Sequence, residues 1–141
     1  MIKIPPPMTA TPTLDTTLDF HQSDLTAARI DTLDQAGIDG LLFGVIGIDS
    51  DGVVRRYNAL ESQMAGLAPV RVLGHPLFTV VAPCMNNFMV AQRFDDAAAT
   101  GQPLDSTVDY VLTLRMRPVK VKLRLLAAQG GVQRYVLVYR L

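Results

Sequence analysis

The chain has 141 residues, of which 49% are hydrophobic and 18% are charged, and this composition provides one continuous core for a single domain. Thirteen basic residues balance thirteen acidic ones, so no general field favours nucleic acid or an acidic membrane as a partner. A single cysteine cannot form an internal disulfide, and residues 1–7 lack the apolar stretch of a secretory signal. No apolar run reaches the ~20 residues that span a bilayer. We therefore expect a soluble cytoplasmic protein.

Residues 1–36 are expected to form an N-terminal extension or cap ahead of the main domain. Proline and threonine are frequent in the first 13 residues and predict an extended lead segment. Ser23 is the predicted N-cap of one short helix, and Gly37 is the residue expected to end it. The apolar residues of that helix are Ala27, Ala28, Ile30 and Leu33.

Two apolar runs around an Asp-Gly pair predict a β-hairpin at the start of the main domain. Residues 41–48 and 53–57 are the predicted strands, and residues 49–52 form the turn. The acidic turn partly matches a calcium-binding loop. The later acidic ligands and the bidentate glutamate of such a loop are missing, so we assign no metal.

Helices are predicted between this hairpin and the final strands. Asn58 is a suitable N-cap for a helix over Ala59–Ala65, which Gly66 ends, and a second helical stretch is expected at residues 69–73. Helical spacing of the apolar residues predicts the longest helix over residues 88–100.

Alternation of apolar and polar residues predicts three antiparallel strands at the end of the chain. They cover residues 107–117, 119–125 and 132–141, and a glycine-containing turn at 129–131 precedes the last of them. The face predicted to be solvated, rather than a nucleic-acid site, carries Lys120, Lys122 and Arg124.

Two strands, a set of helices and three strands define an α+β domain over residues 37–141. This order is the arrangement of the PAS fold. We therefore predict a five-stranded antiparallel sheet with short helices and one longer helix on one face, preceded by the N-terminal extension.

Three strings of residues, together with the final strands, resemble the photoactive yellow protein family of blue-light sensors. The strings are Ile-Asp-Gly-Leu-Leu-Phe-Gly at 38–44, Asp-Gly at 51–52 leading to Tyr57, Asn58, Ala59 and Glu61, and Val-Ala-Pro-Cys at 81–84. Similar last strands are indicated by Tyr110, Met116 and residues 118–122 and 135–140. The most specific feature is the combination of Tyr57, Glu61 and Cys84 within 28 residues, because each residue type is common alone.

The resemblance implies a p-coumaroyl (4-hydroxycinnamoyl) chromophore bound as a thioester to Cys84. Its phenolate oxygen would accept hydrogen bonds from Tyr57 and from Glu61, which burial would keep protonated by raising its pKa. The resemblance also implies that blue light isomerises the chromophore, that Glu61 donates its proton, and that the unpaired buried charge loosens the N-terminal segment. The signal would pass to an unknown downstream protein. We expect the receptor to be a monomer or weak dimer and not an enzyme.

The predicted lining of the pocket departs from the family pattern. Ala65 and Leu67 stand where the family has a hydroxyl residue and a gating arginine. A more aliphatic pocket is expected, because positions that are more often aromatic or polar in the family hold Leu77, Met85, Leu112 and Leu114. The complete predicted lining is Ala65, Leu67, Leu77, Val81, Ala82, Met85, Leu112 and Met116.

Other interpretations of the same residues stay open. A lone cysteine is ordinarily a small buried hydrophobic residue, and only its neighbours favour a linkage role for Cys84. The main alternative function is a light-insensitive PAS module that binds another small ligand or mediates protein interaction. Catalysis is disfavoured, because Cys84 has no histidine or general base near it in the sequence.

Overall fold

The computed structural model describes residues 18–113, 117–129 and 133–141. The α-helices in these ranges are α1 (Ala27–Asp31), α2 (Gln35–Asp39), α3 (Ala59–Ala65) and α4 (Ala91–Thr100). The strands are β1 (Gly44–Ile48), β2 (Val54–Tyr57), β3 (Leu104–Leu112), β4 (Val119–Ala127) and β5 (Arg134–Arg140). Single helical turns occupy Pro69–Arg71, Leu77–Val81 and Pro83–Met85. The predicted lead segment, the pocket residue Met116, Leu114 and the turn glycines at 130–131 lie outside the described residues.

Within the described residues the strands form one five-stranded sheet in the order β2-β1-β5-β4-β3, and every neighbouring pair is antiparallel. The predicted α+β architecture is therefore confirmed. The hairpin between β1 and β2 is closed by Asp49, whose Oδ1 accepts hydrogen bonds from the backbone N–H groups of Asp51 and Val53. Gly52 supplies the turn with a φ of 80°, a left-handed conformation that glycine adopts without strain.

The two faces of the sheet pack against different parts of the chain. One face, here called the helix face, packs against α4 and the helical turns after β2 through side chains such as Val121, Leu123 and Val136. The opposite face, here called the cap face, packs against the N-terminal cap, defined as residues 18–36 of the described chain, and against Ile38 and Phe43. Buried cap residues on this side include Leu18, Phe20, Leu25 and Ile30. The chain therefore has two apolar clusters separated by the sheet.

Helix α3 has the bounds that the sequence predicts. The Asn58 side chain accepts a hydrogen bond from the N–H of Glu61 at its start, and Gly66 ends it in the left-handed conformation with a φ of 71°. Asn58 also joins α3 to the neighbouring chain, because its amide donates to the carbonyl oxygens of Ile38 and Phe43 and its Oδ1 accepts from the N–H of Val45. The position of Glu61 is thus fixed by Asn58, the fully buried N-cap residue of helix α3.

The prediction of one helix capped by Ser23 and ended by Gly37 is wrong. Thr26 caps α1 by accepting from the N–H of Arg29, and Asp34 caps a separate helix, α2, by accepting from the N–H of Gly37. Gly37 consequently lies inside the first turn of α2 and does not end a helix. Two good cap residues eight positions apart divide the segment into two short helices.

The longest helix begins three residues later than predicted, at Ala91. The Asn87 side chain accepts hydrogen bonds from the N–H groups of Met89 and Val90, which holds residues 87–90 as a turn before the helix. No helix in the described parts of the chain combines the length and apolar character needed to cross a membrane.

Arg124 is not on a solvated face, and that part of the sequence prediction is wrong. The side chain lies on the cap face, is 5% exposed, and pairs with Asp105 of β3 through two N–H groups. It also donates to the cap carbonyl oxygens of Phe20, Gln22 and Leu25. The alternation places Arg124 on the predicted face, but the N-terminal cap covers that face.

Candidate functional site

Cys84 lies in the single helical turn Pro83–Met85, between α3 and α4. The hydroxyl of Tyr110 on β3 donates a hydrogen bond to its carbonyl oxygen, and the Asn87 amide donates to the same oxygen at 3.2 Å. The Asn87 amide also donates to the Tyr110 hydroxyl. This network fixes the backbone of the turn against the sheet. The free thiol is partly buried and packs against the apolar cluster of the helix face.

Most of the predicted pocket lining belongs to that same cluster. Its buried members include Tyr57 together with the predicted lining residues Leu77, Ala82, Met85 and Leu112. Partly buried residues that pack against the cluster include Cys84, Leu67 and Val81. Among the described residues, Ala65 is buried but is not a member of the cluster. The structure therefore brings the thiol and the tyrosine into one apolar environment.

Tyr57 ends β2, and its side chain is 3% exposed. Its hydroxyl donates a hydrogen bond of 3.2 Å to the carbonyl oxygen of Leu67. Burial raises the pKa of this hydroxyl well above its ordinary value, the nearby Glu61 adds to the rise, and Arg140 opposes it. Tyr57 is therefore a neutral hydrogen-bond donor at any physiological pH.

Glu61 is the only glutamate in the sequence and is 1% exposed. The Arg140 guanidinium donates hydrogen bonds to both oxygens of its carboxyl group, at 2.7 Å to Oε1 and 3.1 Å to Oε2. Gly44 of β1 makes room for this arrangement, because a Cβ added there would lie 2.0 Å from Oε1. The carboxyl group thus sits between the backbone of β1 and the last residue of β5.

The surroundings of Glu61 act on its pKa in opposite directions. Burial raises the pKa above its ordinary value because the charged form is poorly solvated, and the hydrogen bonds and charge of Arg140 oppose part of that rise. The net effect is a raised pKa, in the direction that the sequence predicts. Burial therefore favours the protonated form of Glu61, and Arg140 favours the ionised form.

Arg140 is a site residue that was not predicted from the sequence. The signal was present, because alternation along β5 places Arg140 on the same face as Val136 and Val138, which belong to the cluster of the helix face. Its partner, Glu61, lies 79 residues earlier in the chain, so spacing gave no hint of the pair. The expectation of an unpaired buried charge did not include this partner, which the structure places against Glu61.

The residues present fit a covalently held aromatic acid. The Cys84 thiol packs against the apolar cluster that contains Tyr57, a neutral hydroxyl donor, and the buried carboxyl group of Glu61 lies near enough to Tyr57 to raise its pKa. These are the types of group that would attach, orient and protonate such a ligand. Among the described residues, no three His, Cys, Asp or Glu side chains come together as a metal site.

The fold is that of the PAS class, and the sequence model of the PAS fold matches residues 38–140. Photoactive yellow protein of Rhodothalassium salexigens is 35% identical over 123 residues, which are 87% of this chain and 97% of that protein. Photoactive yellow protein of Halochromatium salexigens is 33% identical over 122 residues, 86% of this chain and 96% of that protein.

A solved structure agrees with these relatives. The photoactive yellow protein domain of the sensor histidine kinase Ppr from Rhodospirillum centenum has a TM-score of 0.73 and 37% identity, covering 80% of this chain and 98% of that chain. The chain belongs to the photoactive yellow protein family. It is a non-enzymatic PAS photoreceptor, and its relatives imply that it carries a chromophore.

Proposed function

We propose that this protein is a blue-light receptor that holds a p-coumaroyl group as a thioester on Cys84, with Tyr57 and Glu61 as hydrogen-bond donors to its phenolate oxygen. The observation that carries the proposal is the burial of Glu61 beside Tyr57, at the cluster against which Cys84 packs. The bound p-coumaroyl group would supply the absorption of visible light and a double bond that isomerises.

Cys84 would attach the ligand through its Sγ atom. The thiol loses its proton, Sγ bonds to the acyl carbon of an activated p-coumaric acid, and the activating group leaves. The hydrogen bonds from Tyr110 and Asn87 to the Cys84 carbonyl oxygen support this role, because they hold the attachment turn still while the thiol remains free.

Tyr57 and Glu61 would keep the ligand ionised. A phenol with an ordinary pKa near ~10 stays ionised in a protein only if hydrogen bonds favour the anion over its desolvation cost. Burial raises the pKa of both side chains, which favours the protonated forms that donate to the phenolate oxygen. The Tyr57 hydroxyl would exchange its present acceptor, the Leu67 carbonyl oxygen, for the phenolate oxygen.

Glu61 would deliver the proton that converts light absorption into a change of the protein. The proton leaves a carboxyl oxygen of Glu61 for the phenolate oxygen, so a carboxylate replaces a phenolate and the total charge of the pocket is unchanged. The charge moves from the ligand to α3, where Arg140 lies within bonding distance.

The N-terminal cap would receive this change through the end of β5. Arg140 contacts Glu61 on the helix face, and the neighbouring Tyr139 stacks on the cap residue Phe20 with ring centroids 5.2 Å apart. Rearrangement at Arg140 therefore reaches the cap through adjacent residues of one strand. A downstream signalling protein, not identified by the chemistry of the site, would recognise the altered cap.

Reconstitution tests the proposal directly. The purified protein is incubated with activated p-coumaric acid, and mass spectrometry and absorption spectra are recorded before and after blue illumination, with Cys84→Ser as the matched control. We expect a covalent adduct and a visible band that bleaches in light and recovers in darkness, both absent from the Cys84→Ser variant. An unmodified protein, or equal labelling of the variant, would instead favour the light-insensitive PAS module.

A further inference from the structure

Arg140 differs from the other arginines that the structure describes with a polar contact. Those arginines bond to backbone carbonyl oxygens, hydroxyl groups or aspartates: Arg29, Arg55, Arg56, Arg93 and Arg124. Arg140 alone among them faces a carboxyl group that is itself buried, with side-chain exposures of 14% for the arginine and 1% for the glutamate. Its charge is therefore placed at the one acidic group of the site.

The geometry of this pair requires features from three parts of the chain. Alternation along β5 directs Arg140 to the helix face, and the Asn58 cap fixes the start of α3 and so the position of Glu61. Gly44 of β1 leaves space that any side chain would fill. Two parallel N–H···O bonds form the strongest arrangement between a guanidinium and a carboxylate, and they require the carboxylate to be ionised for their full strength.

The outer side of Arg140 is open. Arg140 lines a surface groove of about 190 Å³ together with Leu42, Leu60 and Met64, so its side chain lies between the buried carboxyl group and solvent. The Arg140 side chain is 14% exposed, so it keeps some contact with water. The charge of Arg140 therefore does not depend on its bond to Glu61.

We propose that Arg140 is the positioning residue that sets how readily Glu61 gives up its proton, by pairing with the carboxylate whenever Glu61 is ionised. This inference rests on the proposed function of Glu61 as the proton donor. With Glu61 protonated, Arg140 is a nearby cation with a weaker bond. After the proton has moved to the ligand, Arg140 forms the two-bond pair seen in the structure and stabilises the product of the transfer.

The ionisable groups around Glu61 leave this role to Arg140. Tyr57 of β2 and Arg140 of β5 are the described groups whose charges interact with Glu61, and β1 presents the side-chain-free Gly44. Tyr57 remains neutral and its hydroxyl donates to the Leu67 carbonyl oxygen, so it contributes no charge at Glu61. The stability of the carboxylate relative to the acid therefore depends on the guanidinium.

The titration of Glu61 in the protein without chromophore tests the inference independently of light. Glutamate labelled with 13C at the side-chain carboxyl gives one signal, since the chain has a single glutamate. In Arg140→Gln we expect the midpoint of this titration to rise by about 1–3 pH units, because an adjacent arginine lowers the pKa of a carboxyl group by that amount. Arg140→Lys, which keeps the charge but loses the two-bond geometry, should show a smaller rise.

Arg55→Gln is the matched control. Arg55 also bonds to a carboxylate, at 2.9 Å to Asp49, but this pair lies at the surface in the β1–β2 hairpin. The Glu61 midpoint should stay unchanged in this variant. An unchanged midpoint in both Arg140 variants would overturn the inference. If Arg140→Gln does not fold, as its amide spectrum will show, Arg140→Lys decides alone, since it must still shift the midpoint upward.

The loaded protein provides a second measurement. Infrared difference spectra follow the loss of the protonated Glu61 carbonyl band on illumination and so give the ratio of ionised to protonated Glu61 in the illuminated protein. In Arg140→Gln we expect this ratio to fall by about tenfold for each unit of pKa change found in the titration. An equal loss in both proteins would contradict the inference. Failure of chromophore binding would argue against the proposed function alone, because the titration of the unloaded protein would still report on Arg140.

Discussion

Glu61 couples the protonation of one side chain to the stability of the whole domain. Its pKa is raised in the folded protein, so between the ordinary pKa of about 4.5 and the raised value the folded state binds more protons than the unfolded state. The contribution of Glu61 to stability is therefore complete below the ordinary pKa. It is lost as the pH rises through the raised value.

Glu61→Gln should remove this pH dependence. The free energy of unfolding of the parent protein minus that of the variant, measured by urea denaturation from pH 4 to pH 8, should fall with rising pH by about 1.4 kcal/mol for each unit by which the pKa is raised. Subtraction cancels the opposite trend from aspartates such as Asp24 and Asp49, whose pKa values are lowered by hydrogen bonds from Gln22 and Arg55 respectively. A difference that does not vary with pH would show that the pKa of Glu61 is ordinary.

At the scale of secondary-structure elements, Asn58 connects α2, β1 and α3 through one buried side chain. Its amide group satisfies two carbonyl oxygens, those of Ile38 and Phe43, and its oxygen satisfies the N–H groups of Val45 and Glu61. The Ile38 carbonyl oxygen also accepts from the N–H of Leu41, whereas the N–H of Glu61, in the first turn of α3, has no partner within the helix. The prediction of Asn58 as a simple helix cap was therefore correct but incomplete.

Asn58→Ala should destabilise the domain by about 2–4 kcal/mol, more than an ordinary cap, because several backbone groups lose their partner in the interior. Asp34→Ala removes the cap of α2 at the surface and is the control, with an expected loss of about 1 kcal/mol. Urea denaturation of the two variants measures the difference. Equal losses would mean that water replaces the Asn58 contacts.

The elements show where the sequence was informative and where it was not. Strand alternation and the Asn58 and Gly66 signals gave the sheet and α3, because these are local patterns that burial reinforces. The helices of the N-terminal cap were harder to predict, since Ser23, Thr26 and Asp34 are all suitable helix N-cap residues and only packing decides among them. Arg140 was missed because its partner comes from a distant part of the chain.

For the whole molecule, the central relationship is between the cap and the sheet. Arg124 of β4 donates to the carbonyl oxygens of Phe20, Gln22 and Leu25, and Arg56 of β2 donates to those of Ile30 and Leu33. Alternation correctly put Arg124 on the face opposite the helix-face cluster. Covering of that face by the cap could not be foreseen, because the cap is joined to it by bonds to backbone atoms that carry no sequence signal.

Arg124→Met should loosen the cap while leaving the sheet intact. The substitution keeps an apolar side chain of similar length but leaves buried carbonyl oxygens without a donor, at a cost of about 1–3 kcal/mol. Amide hydrogen exchange should therefore accelerate about tenfold or more in residues 18–36 and remain unchanged in β5. Lys122→Met is the matched control, because Lys122 lies on the same strand face and pairs with Asp109 at the surface. Equal protection of the cap in both variants would show that the apolar contacts alone hold it.

The way in which the two arginines bind the cap also bears on how this protein can change over evolution. Every residue type has a carbonyl oxygen, so the side chains at positions 20, 22, 25, 30 and 33 could be exchanged without removing an acceptor from Arg124 or Arg56. Selection on the cap then acts through its buried apolar residues and through the surface that another protein recognises. The outward-facing residues of the cap are free to diverge with a new signalling partner while the cap keeps its place on the sheet.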